Sequence, residues 1–387
     1  MVNSHKLPIW KTGKLATETP ILLIPGMGAS RLFIRGEPSR FNEFPDKKRQ
    51  IYPPSMQNFI CHFNEWKSHM MESKGSLTTM GFGDKNALTL TTESSLFSFF
   101  GSSFNKYEQI LKQPNTFAIP YDFRRVDECA YMNDFSTKLC KYIESFGKPV
   151  ILMCHSTGGL LVHWILHQQT KEWKDKWVDK VICVNVPFGG VVAALDNCVR
   201  HDTNINILIG RDVFQSFGAS IWNLPNSKYL KNILEVDEED VVDYLEYFKF
   251  YDIKRRWNCN KDMIDTFSKA TDVETHIVYS TKDDHENESE NESKYIEHED
   301  VEIETIIAHE LEHMLCKILL KNTPVGLRVC DGKVSIKYGK GDGVVSLDSL
   351  LVPRFWEDQS RVTFHHIPKY EHSSILQHWN LQKNTID

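Results

Sequence analysis

Short apolar runs alternate along the chain with stretches of helical spacing, the pattern of buried parallel strands in an α/β sheet. Six runs fit strands: Ile21–Ile24, Thr116–Ile119, Val150–Cys154, Val181–Val186, His276–Ser280 and Val362–Ile367. Between the third and fourth, Gly158 to Gln169 predicts a helix. Its apolar residues Leu160, Leu161, Val162, Trp164, Ile165 and Leu166 cover more than one face, as expected of a helix packed deep against a sheet. The expected architecture is α/β, with a mostly parallel central sheet and helices on both faces.

Two long regions break the alternation. Residues 31–114 are irregular and carry the apolar patch Leu96-Phe97-Ser98-Phe99-Phe100. Residues 192–267 contain Phe214, Phe217, Ile221, Trp222 and Leu224, then an acidic segment from Glu235 to Glu246. Such insertions sit at the strand ends of α/β sheets as lids and caps. The expected division is a core of 1–30, 115–191 and 268–387, a lid or membrane-facing insertion at 31–114, and a cap at 192–267. An acidic insertion at about 282–322 interrupts the core. Its first part, Asp283 to Asp300, is too polar to bury much surface and is expected as a solvated loop, followed by a helix over roughly 301–321.

Composition narrows the partners. Of 387 residues, 41% are hydrophobic and 25% charged, enough for a large core. A net charge of −7 argues against nucleic acid, which needs a concentrated basic surface; the run Lys47-Lys48-Arg49 reads as a solvated loop. No segment has the ~18 uninterrupted apolar residues of a membrane span, and Met1 to Lys14 lack the apolar stretch of a secretory signal. The expectation is a cytoplasmic or peripheral membrane protein as written, secreted if a signal has been removed. Nine cysteines without a CxxC pair suggest reduced thiols. The sequons at Asn287 and Asn291 would matter only in a secreted chain.

The strand Val150–Cys154 runs into His155-Ser156-Thr157-Gly158-Gly159 and then the apolar helix. This is a nucleophile elbow, in which a strained strand-to-helix turn exposes a serine hydroxyl above the sheet. Small residues flank it because strand and helix come close; Cys154 takes the place of the usual first glycine. The α/β-hydrolase fold brings the partners later, in the order serine, acid, histidine. Asp342, in Gly341-Asp342-Gly343, follows the strand-like Lys333–Tyr338, and His372 follows the last strand candidate. Ser156 would attack, His372 shuttle the proton and Asp342 orient the imidazole. His365 and His366 lie within a strand, which suits core or surface positions. The oxyanion of the intermediate needs backbone donors: the N–H of Thr157, and the N–H of Met27 in the loop Pro25 to Ser30, whose glycines would also serve a plain tight turn.

These residues resemble the lecithin:cholesterol acyltransferase family, the group of lysosomal phospholipase A2 and the phospholipid:diacylglycerol acyltransferases. The matching elements are Pro20 to Gly26, Ile119-Pro120-Tyr121-Asp122-Phe123-Arg124, the Cys154–Gly158 elbow, Pro187-Phe188-Gly189-Gly190, Gly341-Asp342-Gly343 and Glu371-His372. Phe123 and Phe188 stand where the family typically has tryptophan. The resemblance implies an acyl ester of a glycerophospholipid, cleaved through an acyl-Ser156 intermediate, with the acyl group passed to water or a lipid alcohol. It implies phospholipid and lipid-alcohol substrates, transient contact with a membrane or lipoprotein surface, no nucleic acid and no cofactor. Trp222, Leu224 and Phe188 are the substrate-binding candidates. Secreted members close the lid with a disulfide, but Cys61 is the only cysteine between Met1 and Cys129.

One motif competes. His309-Glu310-Leu311-Glu312-His313 matches HExxH, which on a helix puts two zinc ligands and a general base on one face. The alternative is therefore a zinc metalloprotease, but no HxxGxxH extension or third ligand follows. A lipid-binding protein without catalysis has no need of Ser156, Asp342 and His372 together. Purified protein is expected to carry no stoichiometric zinc and to keep its activity in chelators; metal analysis showing one zinc per chain with chelator-sensitive activity would reverse this ranking.

Overall fold

The computed structural model describes residues 19–34, 49–54, 59, 61–71, 77–88, 104–237, 240–248, 251–282, 295–297, 323–331 and 333–377. The six apolar runs all become strands of one sheet: β1 (Ile21–Ile24), β2 (Thr116–Ala118), β3 (Val150–His155), β4 (Val178–Val184), β5 (Thr275–Thr281) and β6 (Val362–Pro368). Their order is β6-β5-β4-β3-β1-β2, and every neighbouring pair is parallel. All residues of β1 and β3 are buried, which is why these strands read as continuous apolar runs. β4 starts earlier than its apolar run, because Val178 pairs with Val150, and it stops at Asn185, whose φ is 46°.

Side-chain alternation divides the core. Ile21, Leu23, Ile151 and Met153 face one side with Tyr107, Ile110 and Leu111 of α1 (Phe104–Leu111). Leu22, Ile24, Leu152 and Cys154 face the other. There α2 (Cys129–Glu144) applies a stripe of Met132, Phe135, Leu139 and Ile143. α3 (Thr157–His167) is buried at every residue from Thr157 to Leu166, as its all-round apolar surface predicts.

From β1 the chain moves outward to β2, then returns to β3 on the other side of β1 and proceeds outward to β6. Loops after β1 and β3 therefore diverge and leave a crevice at the carboxyl ends of the strands, where such sheets bind ligands.

The insertions carry their own sheets. Within 31–114, Leu32–Ile34 pairs antiparallel with Arg49–Tyr52 and Leu77–Thr78. A second sheet runs Tyr295–Glu297, Lys333–Gly339, Thr323–Cys330, Leu234–Val236, Asp240–Val241, and so joins the 192–267 segment to the hairpin at 323–339. One expectation changes here. The acidic stretch expected as a solvated loop supplies Tyr295–Glu297 as an edge strand. The acidic segment from Glu235 to Glu246 overlaps the strand Leu234–Val236, where Glu235 meets Arg328 at 3.0 Å and Lys337 at 3.6 Å.

The patch at 96–100, both sequons, the 301–321 segment and the 309–313 motif lie outside the described residues. Among the described residues no cysteine forms a disulfide, and no helix is long and apolar enough to cross a membrane.

Buried histidines make the fold sensitive to acid. His163, on α3, donates from Nε2 to the Lys269 carbonyl at 2.6 Å. Burial, and then neighbouring His167, push its pKa down to about 3. The unfolded chain takes up a proton near pH 6.5 that the native site refuses. Stability from this group is therefore lost as pH falls from about 6.5 toward 3. His163→Gln keeps a donor and removes the titration, so its melting temperature should fall less steeply than wild type between about pH 6.5 and 4.

Candidate active site

At the end of β3 the backbone turns on Ser156, with φ 53° and ψ −135°, directly into α3. A residue with a side chain avoids that conformation unless its surroundings impose it. Here the Ser156 N–H donates to the Val184 carbonyl (3.0 Å), and the Gly159 N–H returns to the Ser156 carbonyl (2.9 Å). Glycine is needed at the helix start: a Cβ at Gly158 would overlap the carbonyl oxygens of Ile24 and Pro25, and one at Gly159 would overlap Val186. Cys154 fits where a glycine is usual because its thiol points across the sheet, 3.9 Å from Cys183 Sγ and 3.4 Å from the Ile182 carbonyl. Burial, then Cys183, hold that thiol well above its ordinary pKa, so it stays neutral.

Ser156, Asp342 and His372 come together from 216 residues of sequence separation. Ser156 Oγ lies 2.9 Å from His372 Nε2, and His372 Nδ1 lies 2.7 Å from Asp342 Oδ2. Asp342 is fully buried; its Oδ1 accepts the N–H groups of Val344 (2.9 Å) and Val345 (2.7 Å), leaving Oδ2 for the histidine. The His372 N–H also donates to the Asp342 carbonyl at 2.8 Å. With Nδ1 protonated toward a carboxylate, Nε2 is the atom that can accept the serine proton. The turn under Asp342 is tight: a Cβ at Gly343 (φ 96°) would press on Lys282, whose amine lies 3.7 Å from Glu371.

His365 and His366 are engaged elsewhere on β6. His365 Nε2 lies 3.0 Å from His276 Nδ1, and burial lowers its pKa to about 4. His366 Nε2 lies 2.8 Å from Thr281 Oγ1.

The expected oxyanion donors are Thr157, which follows the serine, and Met27, in the loop after β1. Thr157 is the first residue of α3, so no carbonyl four residues earlier lies within the helix to take its N–H. Met27 lies in the loop after β1, beside Gly26, where a Cβ would stand 3.0 Å from Ser156 Cβ. A residue of the cap bridges them: Asn223 Nδ2 donates to Thr157 Oγ1 at 2.8 Å and lies 3.9 Å from Met27 Sδ. Sequence reasoning passes over Asn223, since a lone polar residue in Trp222-Asn223-Leu224 carries no pattern.

The three substrate-binding candidates pack as core. Trp222 is buried against Phe267 at 5.5 Å, with its ring N–H on Asn260 Oδ1 at 3.3 Å. Leu224 is buried, and Phe188 fits between Trp356 (5.2 Å) and His163 (5.3 Å). A small apolar cleft beside Met27 is lined by Tyr52 and Trp66 of the 31–114 segment, by Phe123, and by Ile209, Phe214 and Phe217 of the 192–267 segment. Asp122 and Arg124 hold Phe123 in place through a buried two-pronged ion pair (2.9 and 2.7 Å), while Arg124 reaches the His69 carbonyl at 2.9 Å.

A serine on a strained turn between a parallel strand and a buried helix, at the edge where strand order reverses, defines the α/β-hydrolase fold. A chain in the solved Tle4-Tli4 complex shares that fold, with a TM-score of 0.54 at 10% identity over 94% of this chain and 97% of that one. Within this class, the chain belongs to the lecithin:cholesterol acyltransferase family, whose model matches residues 92–321. That span takes in the motifs at 119–124, 154–158 and 187–190; Asp342 and His372 lie beyond it. The mouse protein named lysosomal phospholipase A and acyltransferase is 24% identical over 272 residues, 66% of this chain and 58% of the relative. The chain thus matches a little over half the length of that protein. The rat phosphatidylcholine-sterol acyltransferase is 24% identical over 196 residues, 45% of this chain and 44% of the relative.

Gly158→Ala should force α3 away from the loop after β1. We expect a loss of about 1–3 kcal/mol, as for other overpacked cores, and slower reaction of Ser156 with a fluorophosphonate. Gly81→Ala, where an added Cβ meets nothing within 4 Å, should leave melting temperature and labelling unchanged.

Proposed function

We propose that the chain is a serine-dependent acyl hydrolase and acyltransferase acting on glycerophospholipid esters. The observation that carries this reading is the continuous hydrogen-bonded line from Ser156 Oγ through His372 to Asp342 Oδ2. In this reading Ser156 Oγ attacks the ester carbonyl carbon while its proton passes to His372 Nε2. The Thr157 and Met27 N–H groups stabilise the negative charge on the former carbonyl oxygen. Collapse breaks the ester C–O bond, and the leaving lysophospholipid oxygen takes the proton from His372. Water or a lipid alcohol then gives its proton to His372 Nε2 and attacks the acyl-Ser156 carbonyl. Fatty acid or a new ester leaves, and Ser156 recovers its proton.

Family membership supports the chemistry, as do the names of the mouse and rat relatives, which carry a phospholipase A, an acyltransferase and a phosphatidylcholine–sterol pairing. The aromatic cleft beside Met27 is, as it stands, smaller than an acyl chain, but its apolar lining would suit one if the space opened. It takes the role first given to Trp222, Leu224 and Phe188. The lysosomal setting in the mouse relative's name favours a secretory route for this chain over a cytoplasmic one.

Incubation with phosphatidylcholine vesicles, with and without a sterol, diacylglycerol or ceramide, should release fatty acid and, with the right alcohol, new ester. Ser156→Ala should lower both by a factor on the order of 10⁴ or more and abolish fluorophosphonate labelling. Turnover that survives Ser156→Ala would sink the reading.

A further inference from the structure

A second buried chain of hydrogen bonds joins three segments of the site without passing through Ser156. The Gly26 N–H donates to Tyr107 Oη at 2.9 Å, Tyr107 Oη lies 2.5 Å from His155 Nδ1, and His155 Nε2 lies 3.0 Å from the His372 carbonyl oxygen. The proton positions follow from the end that has no choice. A carbonyl only accepts, so His155 Nε2 carries the hydrogen; Nδ1 of the neutral ring then accepts, and the Tyr107 hydroxyl donates. That arrangement leaves a lone pair on Tyr107 for the Gly26 N–H. Tyr107 and His155 are 1% and 3% exposed, so bulk water cannot replace a broken link. Burial holds the Tyr107 phenol far above its ordinary range, which keeps it a donor. Asn185 Nδ2 donates to the same His372 carbonyl at 2.9 Å and to Ser280 Oγ at 2.8 Å, so the loop of the base is held from two sides.

We propose that Tyr107 is a positioning residue for acyl transfer. Through Gly26 and His155 it sets the spacing between the oxyanion loop, the nucleophile elbow and the loop of His372. The inference rests on the reading of Ser156 as nucleophile. Gly26 immediately precedes Met27, so anchoring its N–H fixes the peptide that aims the Met27 donor. His155 immediately precedes Ser156, and its ring lies 4.9 Å from that of His372. Misplacement by about 1 Å at a reacting centre can cost on the order of a hundredfold in rate. The competing view makes Tyr107 a core residue like its neighbours Ile110 and Leu111; a phenylalanine would then serve as well.

Tyr107→Phe keeps the ring and removes the hydroxyl. Fluorophosphonate inactivation should show a maximal rate lowered about tenfold to a hundredfold, with the half-saturating probe concentration and the final labelled fraction near wild type and the melting temperature modestly lowered by the unsatisfied Gly26 N–H and His155 Nδ1. His155→Gln keeps an amide donor for the His372 carbonyl but loses the acceptor for Tyr107, and should slow labelling by a similar factor. The double variant should be no slower than the slower single one, because both changes break the same chain. A wild-type rate in Tyr107→Phe overturns the proposal, as does a double variant whose loss is the product of the two single losses. So does a Tyr107→Phe protein whose active fraction reacts at the wild-type rate while only its amount or melting temperature falls. Wild-type protein that is not labelled, or is labelled equally in Ser156→Ala, would instead refute the nucleophile itself.

Discussion

The backbone of Ser156 is held where a residue with a side chain rarely stays, at φ 53° and ψ −135°. Such a conformation costs about 1–3 kcal/mol and persists only where its neighbours over-determine it. The neighbours here are the apolar helix α3, buried along its length, and two glycines that let it press against β1 and Val186. Helix burial thus supplies the stabilisation that offsets the strain in the turn. The turn in exchange lifts the hydroxyl to the carboxyl edge of the sheet, where loops from β1, β5 and β6 converge.

A second constraint ties the insertions to that edge. Phe123 lines the cleft beside Met27, and its backbone and flanking charges bind both insertions at once. The Ala219 N–H donates to its carbonyl at 2.9 Å and the Gly218 N–H to that of Arg124 at 2.8 Å, while Arg124 holds the carbonyl of His69. Removing either member of the Asp122–Arg124 pair would leave a buried charge uncompensated, a larger loss than the pair's own net worth. The short motif from Ile119 to Arg124 therefore joins the 31–114 and 192–267 segments to the central sheet.

Much of this was legible in the sequence, for identifiable reasons. The central strands are buried on both faces, so uniform apolarity marks them without ambiguity. Ser156 is marked by the glycines that close packing requires, and Asp342 and His372 by chain order and flanking turns. Leu234–Val236 was not legible, because three residues carry no period of their own and Glu235 finds its partners Arg328 and Lys337 more than ninety residues away. Trp222 and Phe188 carry the apolar surface expected of a substrate wall, yet their partners Phe267 and Trp356 are distant in sequence and claim that surface for the core. Tyr107 and Asn223 have no local signature at all, since each acts through a contact with a residue far along the chain.

The distances in sequence have a kinetic consequence. Ser156 and His372 are 216 residues apart, and the base belongs to the loop after β6, the edge strand laid down last. Contacts of such long range form late, after the entropy of closing large loops has been overcome. A chain emerging from synthesis therefore carries Ser156 long before His372 can reach it. On the proposed mechanism, incomplete or misfolded copies would lack the base, and reactivity at Ser156 would appear only when the last strand has docked.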